Sequence, residues 1–329
     1  MIFSVPIEPL QERYTEQWFR WFPSAFKELE TDYQTIEGDQ LTTSIETGKV
    51  LDVFGTHFYK FSQLQKIVRM IQKRSIMRGD TILFHDLWFP GIEALAYIRE
   101  MTGVRFKIAG ILHAGTWDLH DFTYPMRPWA KHIEQGWLNM FDHVFVGSHF
   151  HKDLICAANS VTCPVTVTGL PFDFKEVQRP QEKENIIVFP HRLDKEKRPD
   201  LFDRMVESLE PLINQLGWKA IKTKDVCATK EEYYQLLGKA KIAVSFAEQE
   251  TFGFAMLEAI ANGCTPVVPN ALSYGSMEIY EGFRFDGFGH AREMVARLIR
   301  GWEDRSSHFA PHLKKFEPQA VIQEMLAHL

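Results

Sequence analysis

Short apolar segments alternate along this chain with longer stretches in which apolar residues recur every three or four positions. The longer spacing is typical of amphipathic helices, and short runs rich in β-branched and aromatic residues are typical of strands. Most of these runs are apolar throughout, as expected for parallel strands covered by helices on both faces. The pattern predicts an α/β protein with two series of parallel strands, at residues 81–84, 106–112, 144–147 and 165–168, then at 186–190, 220–223, 242–246 and 266–269.

The first predicted helix runs from about residue 11 to residue 30 and is rich in aromatic residues. Tyr14, Trp18 and Trp21 fall at helical spacing, which favours a stripe facing the core. An acceptor platform or a membrane-contacting face is the alternative. Pro23 interrupts the pattern, so two short helices are an alternative to one.

A polar segment with two prolines, residues 169–185, separates the two series and has no periodic apolar face. We interpret it as an interdomain linker. A chain of 329 residues suits two domains of ordinary size.

Composition narrows the class of protein. Hydrophobic residues make up 45% of the chain and charged residues 24%, values typical of a globular protein. The net charge of -6 provides no general attraction to nucleic acid or to an anionic membrane. The sequence shows no signal peptide, no apolar run of membrane-spanning length and no metal-ligand spacing among its four cysteines, so a cytoplasmic protein is expected.

Residues 241–270 contain the most informative pattern, an apolar strand, a short loop, a helix and a second strand. The helix is predicted to begin near Phe252 and to end at Gly263. The loop would lie at the carboxyl end of a parallel sheet, where open α/β folds bind ligands. Amides at Phe252, Gly253 and Phe254 would then point at an anion such as a diphosphate, favoured by the helix dipole.

Two carboxylates flank this predicted anion site, Glu250 in the loop and Glu258 on the helix. Because like charges repel, these two carboxylates cannot both be phosphate ligands. They are suited to bind hydroxyl groups at the two ends of a diphosphate, one on a sugar and the other on a ribose. The alternative is two ordinary solvated carboxylates.

Glu250 and Glu258 form a Glu-x7-Glu pattern that resembles the donor motif of family 4 glycosyltransferases. The resemblance implies that Glu250 contacts the transferred sugar, that Glu258 contacts the ribose, and that the intervening amides hold the diphosphate. Residues 186–202 are similar to the segment of that family whose two cations bind the diphosphate, here Arg192 and Lys197. A solvated charged turn is the alternative. His113, at the end of a predicted strand, is similar in position to a histidine that the family keeps beside the donor sugar. A hydrogen-bonded core histidine is the alternative.

The resemblance implies a GT-B fold of two Rossmann-like domains facing across a cleft. Residues 1–170 would form the acceptor-side domain, 171–310 the donor domain, and 311–329 a helix returning to the first. It also implies transfer of a sugar from a nucleotide donor, UDP- or GDP-linked, to an acceptor hydroxyl with retention of configuration and without metal or cofactor. The predicted catalytic residues are His113, Glu250, Arg192 and Lys197, and the predicted donor-binding residues are Glu250, Thr251, Phe252, Gly253, Phe254, Glu258, Arg192 and Lys197.

The first domain departs from the family, which has a glycine-rich loop after its first strand. Here no glycine occurs before Gly38, so either Arg13 or its neighbours take over that role, or the domain is rebuilt around another acceptor. A small molecule or glycan is the favoured acceptor. A modified nucleic-acid base is an alternative because of the aromatic and arginine-containing N-terminus, and a non-catalytic nucleotide-sugar-binding module is the other. Neither the His149–His151 pair nor Asp118 with Asp121 predicts a metal site.

Overall fold

The computed structural model describes residues 1–10, 13–41 and 52–329. Residue 11, the predicted start of the first helix, lies outside these ranges. The described residues form two compact units. The first comprises Met1–Gly147, Lys152–Pro171 and Pro318–Leu329, and the second comprises Ser148–His151 and Phe172–Glu317.

The first unit is built on a six-stranded sheet in the order β2-β1-β3-β4-β5-β6, with all neighbouring strands parallel. Its strands are β1 (Ile2–Val5), β2 (Tyr33–Thr35), β3 (Thr81–Phe84), β4 (Lys107–Leu112), β5 (His143–Val146) and β6 (Val165–Val167). In the sheet, β1 pairs with β2 along one edge and with β3 along the other. The topological switch point of this sheet therefore lies between β1 and β3.

Helices alternate with these strands along the chain, and the last of them begins within residues 148–151, which belong to the second unit. They are α1 (Tyr14–Glu28), α2 (Val53–Gln72), α3 (Ile92–Thr102), α4 (Arg127–Leu138) and α5 (His149–Ala158). The α1 helix is continuous through Pro23, and Trp18 and Trp21 on it are buried, so the aromatic stripe faces the core. The C-terminal helix Pro318–Leu326 packs against α1, where Gln319 hydrogen-bonds Glu28 at 2.6 Å.

The second unit contains a five-stranded sheet in the order β11-β10-β9-β7-β8. Its strands are β7 (Ile186–Phe189), β8 (Lys219–Lys222), β9 (Ile242–Val244), β10 (Thr265–Pro269) and β11 (Arg284–Phe285), and all neighbouring pairs are parallel. Since β7 pairs with β8 on one side and β9 on the other, the switch point of this sheet lies between β7 and β9.

The helices of the second unit lie between residues 174 and 314 of the chain. They are α6 (Phe174–Val177), α7 (Pro199–Gln215), α8 (Thr223–Val226), α9 (Lys230–Lys239), α10 (Phe254–Ala261), α11 (Leu272–Ser276), α12 (Phe288–Arg300) and α13 (Ser306–Lys314). The C-terminal helix Pro318–Leu326, which belongs to the first unit, is α14. No helix within the described ranges has both the length and the apolar character that a membrane crossing needs.

The predicted linker is more ordered than its composition suggested. Asp173 caps the short helix α6 through hydrogen bonds from the Lys175 and Glu176 amides, at 3.0 and 3.2 Å. Phe172 and Val177 are buried. Single buried apolar side chains, rather than a periodic apolar face, order this segment. Analysis of apolar periodicity does not detect such isolated positions.

Candidate functional site

Two loops of the second unit lie side by side at the switch point of its sheet. The first follows β7 and carries Arg192 and Lys197; the second follows β9 and carries Glu250. Lys197 and Glu250 are in contact, with 3.3 Å between Nζ and Oε2. The Lys197 ammonium also donates to the Gln249 carbonyl at 2.5 Å. Residues 53 positions apart in sequence are thus brought together because β7 and β9 are neighbours in the sheet.

The loop after β7 is held in place by its backbone. Lys195–Lys197 form a single 3-10 turn, and Arg198 adopts a left-handed conformation with φ 56° before Pro199 begins α7. The Glu248 amide donates to the Glu196 carbonyl at 2.7 Å, which ties the two loops together. Lys197 is nearly buried, with 8% of its side chain exposed.

Arg192 occupies a different environment, with 53% of its side chain exposed. It forms ion pairs with Asp194 at 3.0 Å and Glu196 at 3.4 Å. Exposed pairs of this kind contribute about 0–1 kcal/mol, so the guanidinium can exchange these partners for an incoming anion at small cost. The structure does not join Arg192 to Glu250.

The helix that follows Glu250 begins at Phe254, two residues later than the sequence pattern predicted. Gly253 precedes it in the left-handed region, φ +95°, and a Cβ there would lie 2.9 Å from the Tyr274 ring. Both constraints exclude a larger residue. In the described part of the chain, the amides of Phe252 and Gly253 donate no hydrogen bond, and they stand at the positive end of the helix.

Glu258 lies farther along α10 and is held by two tyrosines of α9. Its Oε1 accepts a hydrogen bond from the Tyr234 hydroxyl and its Oε2 one from the Tyr233 hydroxyl, each at 3.0 Å. Burial raises the pKa of this carboxyl group above its ordinary value, against the smaller opposite effect of Lys230. Sequence reasoning missed the tyrosine pair because only the packing of α9 on α10 brings it to Glu258.

His191 is a further residue of this region that the sequence analysis did not single out. It follows β7 by two residues and is buried, and its ring packs edge-to-face with the Phe189 ring at a centroid distance of 5.2 Å. Burial, reinforced by Lys197 and Arg192, lowers its pKa well below the ordinary histidine value. A single histidine after a strand is a common pattern and does not by itself indicate a functional residue.

His113 belongs to the first unit, whereas the other predicted site residues belong to the second. Its Nε2 lies 2.7 Å from the His85 carbonyl oxygen and its Nδ1 lies 3.2 Å from the Tyr14 hydroxyl. A carbonyl only accepts, so Nε2 carries the proton and Nδ1 accepts from Tyr14. Burial lowers the pKa of His113, which favours the neutral ring.

The loop after β1, where the family places its glycine-rich loop, carries Glu8 instead. Glu8 is 2% exposed; its Oε2 accepts from the Thr56 hydroxyl at 3.0 Å, and its Oε1 has no partner among the described residues. Burial raises its pKa. Arg13, which the sequence analysis suggested for this role, stands at the N-cap position of α1.

The described ranges hold no group of three His, Cys, Asp or Glu side chains arranged as metal ligands. His149 and His151 lie in the first turn of α5.

Comparisons with known proteins agree on the fold. No family model matches the chain. Sucrose-phosphate synthase from Thermosynechococcus elongatus superposes with a TM-score of 0.67 at 12% identity, over 99% of this chain and 97% of that one. HepE from Anabaena, solved with UDP and glucose, superposes with a TM-score of 0.62 at 12% identity, over 100% of this chain and 99% of the other. The predicted α/β GT-B fold is therefore confirmed, and at this identity the likeness concerns the fold alone.

One curated protein matches at higher identity over a shorter segment. The tRNA-queuosine alpha-mannosyltransferase of Drosophila melanogaster is 31% identical over 117 residues. The match spans 29% of this chain and 30% of the Drosophila protein.

Proposed function

We propose that this chain is a glycosyltransferase that takes its sugar from a UDP- or GDP-linked donor bound by the second unit. The observation that carries the proposal is the contact between Lys197 and Glu250 beside the Gly253 turn, at the switch point of the sheet. One loop supplies cations and the other supplies helix-start amides and a carboxylate. A diphosphate with a sugar attached needs these three kinds of group.

The leaving diphosphate is an anion, and its developing charge needs compensation. Lys197, Arg192 and the Phe252 and Gly253 amides supply it in this proposal. A single preorganised donor of this kind contributes about 3–4 kcal/mol to transition-state stabilisation. Because protein groups carry the charge, the proposed reaction needs neither a bound metal nor an organic cofactor.

The two carboxylates act on hydroxyl groups. Glu250, oriented by Lys197, positions the transferred sugar, and Glu258, oriented by its tyrosines, binds the ribose. The resemblance of the Glu250–Glu258 pattern to family 4 glycosyltransferases supports retention of configuration, with the acceptor attacking on the face from which the diphosphate leaves. This step requires neither carboxylate as a nucleophile. Both ring nitrogens of His113 are already bonded, so it serves as a positioning residue for the Tyr14 hydroxyl.

The test is a donor panel with the full chain. UDP-glucose, UDP-galactose, UDP-N-acetylglucosamine and GDP-mannose are each incubated with the protein, and the released nucleoside diphosphate is measured by chromatography. We expect slow hydrolysis of at least one donor. Binding without consumption of any donor would instead indicate a non-catalytic nucleotide-sugar-binding module, and the absence of both would contradict the proposal.

A modified base of tRNA is a second candidate acceptor, favoured over a small molecule or glycan by the match to the Drosophila enzyme. The net charge of -6 gives no general affinity for a phosphate backbone, so recognition would depend on the base itself. We would incubate queuosine-containing tRNA with GDP-mannose and analyse the nucleosides by mass spectrometry. The same tRNA with guanosine at that position is the control. A hexose on queuosine supports this acceptor, and an inert tRNA under conditions of donor hydrolysis excludes it.

A further inference from the structure

His191 presents an unusual combination of burial and unused hydrogen-bonding capacity. Only 3% of its surface is exposed. Its Nε2 is fully buried without a hydrogen-bond partner in the described residues. The described structure also gives Nδ1 no hydrogen bond, yet that atom is not among the fully buried unpartnered atoms, so it still reaches the accessible surface.

The burial decides where the ring carries its proton. Desolvation and the nearby Lys197 and Arg192 cations favour the neutral ring, which has one N–H group. A buried N–H without an acceptor is rarer and more costly than a buried lone pair. The proton therefore belongs on Nδ1, and the nitrogen that reaches the surface is a hydrogen-bond donor.

The position of this donor points to its ligand. His191 lies on the loop after β7, next in sequence to Arg192, and within electrostatic reach of Lys197. These two cations are the side chains assigned above to the donor diphosphate. A neutral N–H adds a hydrogen bond for a phosphate oxygen without placing a third positive charge among them.

We propose that His191 is a diphosphate ligand of this chain, whose Nδ1–H donates a hydrogen bond to a phosphate oxygen of the nucleotide. The inference rests on the proposed function, because it names a further ligand of the same donor site. A purely structural role, in which the ring only packs against Phe189, makes opposite predictions for substitutions.

Three variants separate the two roles. His191→Asn places an amide nitrogen near the position of Nδ1, His191→Gln places one nearer Nε2, and His191→Phe keeps an aromatic ring without a donor. We expect His191→Asn to bind UDP or GDP within about threefold of the wild type. His191→Gln and His191→Phe should lose about tenfold or more, the value of a hydrogen bond to a charged group.

The measurement is calorimetric titration of the full chain with UDP and with GDP, after thermal melts establish that each variant is folded. His290→Phe is the matched control. His290 is exposed, and its Nδ1 accepts a hydrogen bond from the Asp286 amide, so it has no N–H at that position to offer a phosphate. Its affinity should equal that of the wild type. Wild-type affinity in His191→Phe, or a loss in His191→Asn as large as in His191→Phe, would overturn the inference while leaving the proposed function intact.

Nitrogen NMR of the histidine rings gives an independent readout. We expect the Nδ1–H tautomer for His191 and a shift of that signal on addition of UDP or GDP. An Nε2–H tautomer, or a signal that nucleotide leaves unchanged, would also overturn the inference. Failure of the wild type to bind either nucleotide would contradict the proposed function itself, and the inference with it.

Discussion

Replacement of Glu258 by glutamine tests whether this carboxylate binds the ribose while Glu250 positions the sugar. Each oxygen of Glu258 accepts one tyrosine hydroxyl at 3.0 Å. A carboxylate has about four lone-pair sites, so roughly two remain for ribose hydroxyls. Glu258→Gln removes the charge and turns one acceptor into a donor. A hydrogen bond to a charged group is worth about 1.5–3 kcal/mol, so we expect free UDP or GDP to bind roughly 10- to 150-fold more weakly.

Calorimetry with the free nucleoside diphosphate and with the intact sugar donor measures this effect. Glu250→Gln is the matched control: it should bind the nucleoside diphosphate normally and lose affinity only for the intact donor. A thermal melt checks Glu258→Gln for the loss of a tyrosine hydrogen bond, about 1 kcal/mol. Equal losses for both ligands in both variants would refute the assignment of ribose to one carboxylate and sugar to the other.

Three further predictions concern the cations, the first unit and metals. Arg192→Ala and Lys197→Ala should each lower donor turnover at least tenfold, which corresponds to an activation free energy higher by about 1.4 kcal/mol or more. Lys195→Ala, at an exposed position of the same loop, should leave turnover unchanged. Equal rates in all three variants would contradict the proposed roles. Burial raises the pKa of Glu8 above 4.5, so the folded chain binds its proton more tightly than the unfolded chain, and the wild type should lose stability relative to Glu8→Gln as pH rises from 4.5 through the folded pKa. Urea unfolding across that range checks this, and a difference that stays constant or increases with pH would refute it. Donor turnover should also survive excess chelator, and its loss with recovery on adding magnesium or manganese would contradict the metal-free site.

Strands with enough apolar length were predictable from the sequence. The predicted strand at 81–84 coincides with β3, and that at 165–168 exceeds β6 by one residue. By contrast, β2 (YQT) is polar and only partly buried, and β11 has two residues, so neither forms an apolar run. The buried four-residue β1 at the chain start was also missed. Their pairing depends on neighbouring strands rather than on their own composition.

Only part of the candidate site could likewise be predicted from the sequence. The sequence places Lys197 and Glu250 in loops that follow two strands, but their approach depends on β7 and β9 being neighbours in the sheet, an order that the sequence does not predict. The partners of Glu258 and the burial of His191 depend on how helices and rings pack, and no local pattern encodes that. The helix start was predicted two residues early because the left-handed turn at Gly253 delays it.

Hydrogen exchange with and without nucleotide tests the central claim, that the two loops at the β7–β9 switch point hold the donor diphosphate. The wild-type chain is labelled alone and with saturating UDP or GDP, and protection is mapped by mass spectrometry of peptides. We predict that protection concentrates in peptides covering residues 190–198 and 248–254, and that Lys197→Ala greatly reduces it at the same nucleotide concentration. Protection confined to the first unit, with these two loops unchanged, would contradict the account.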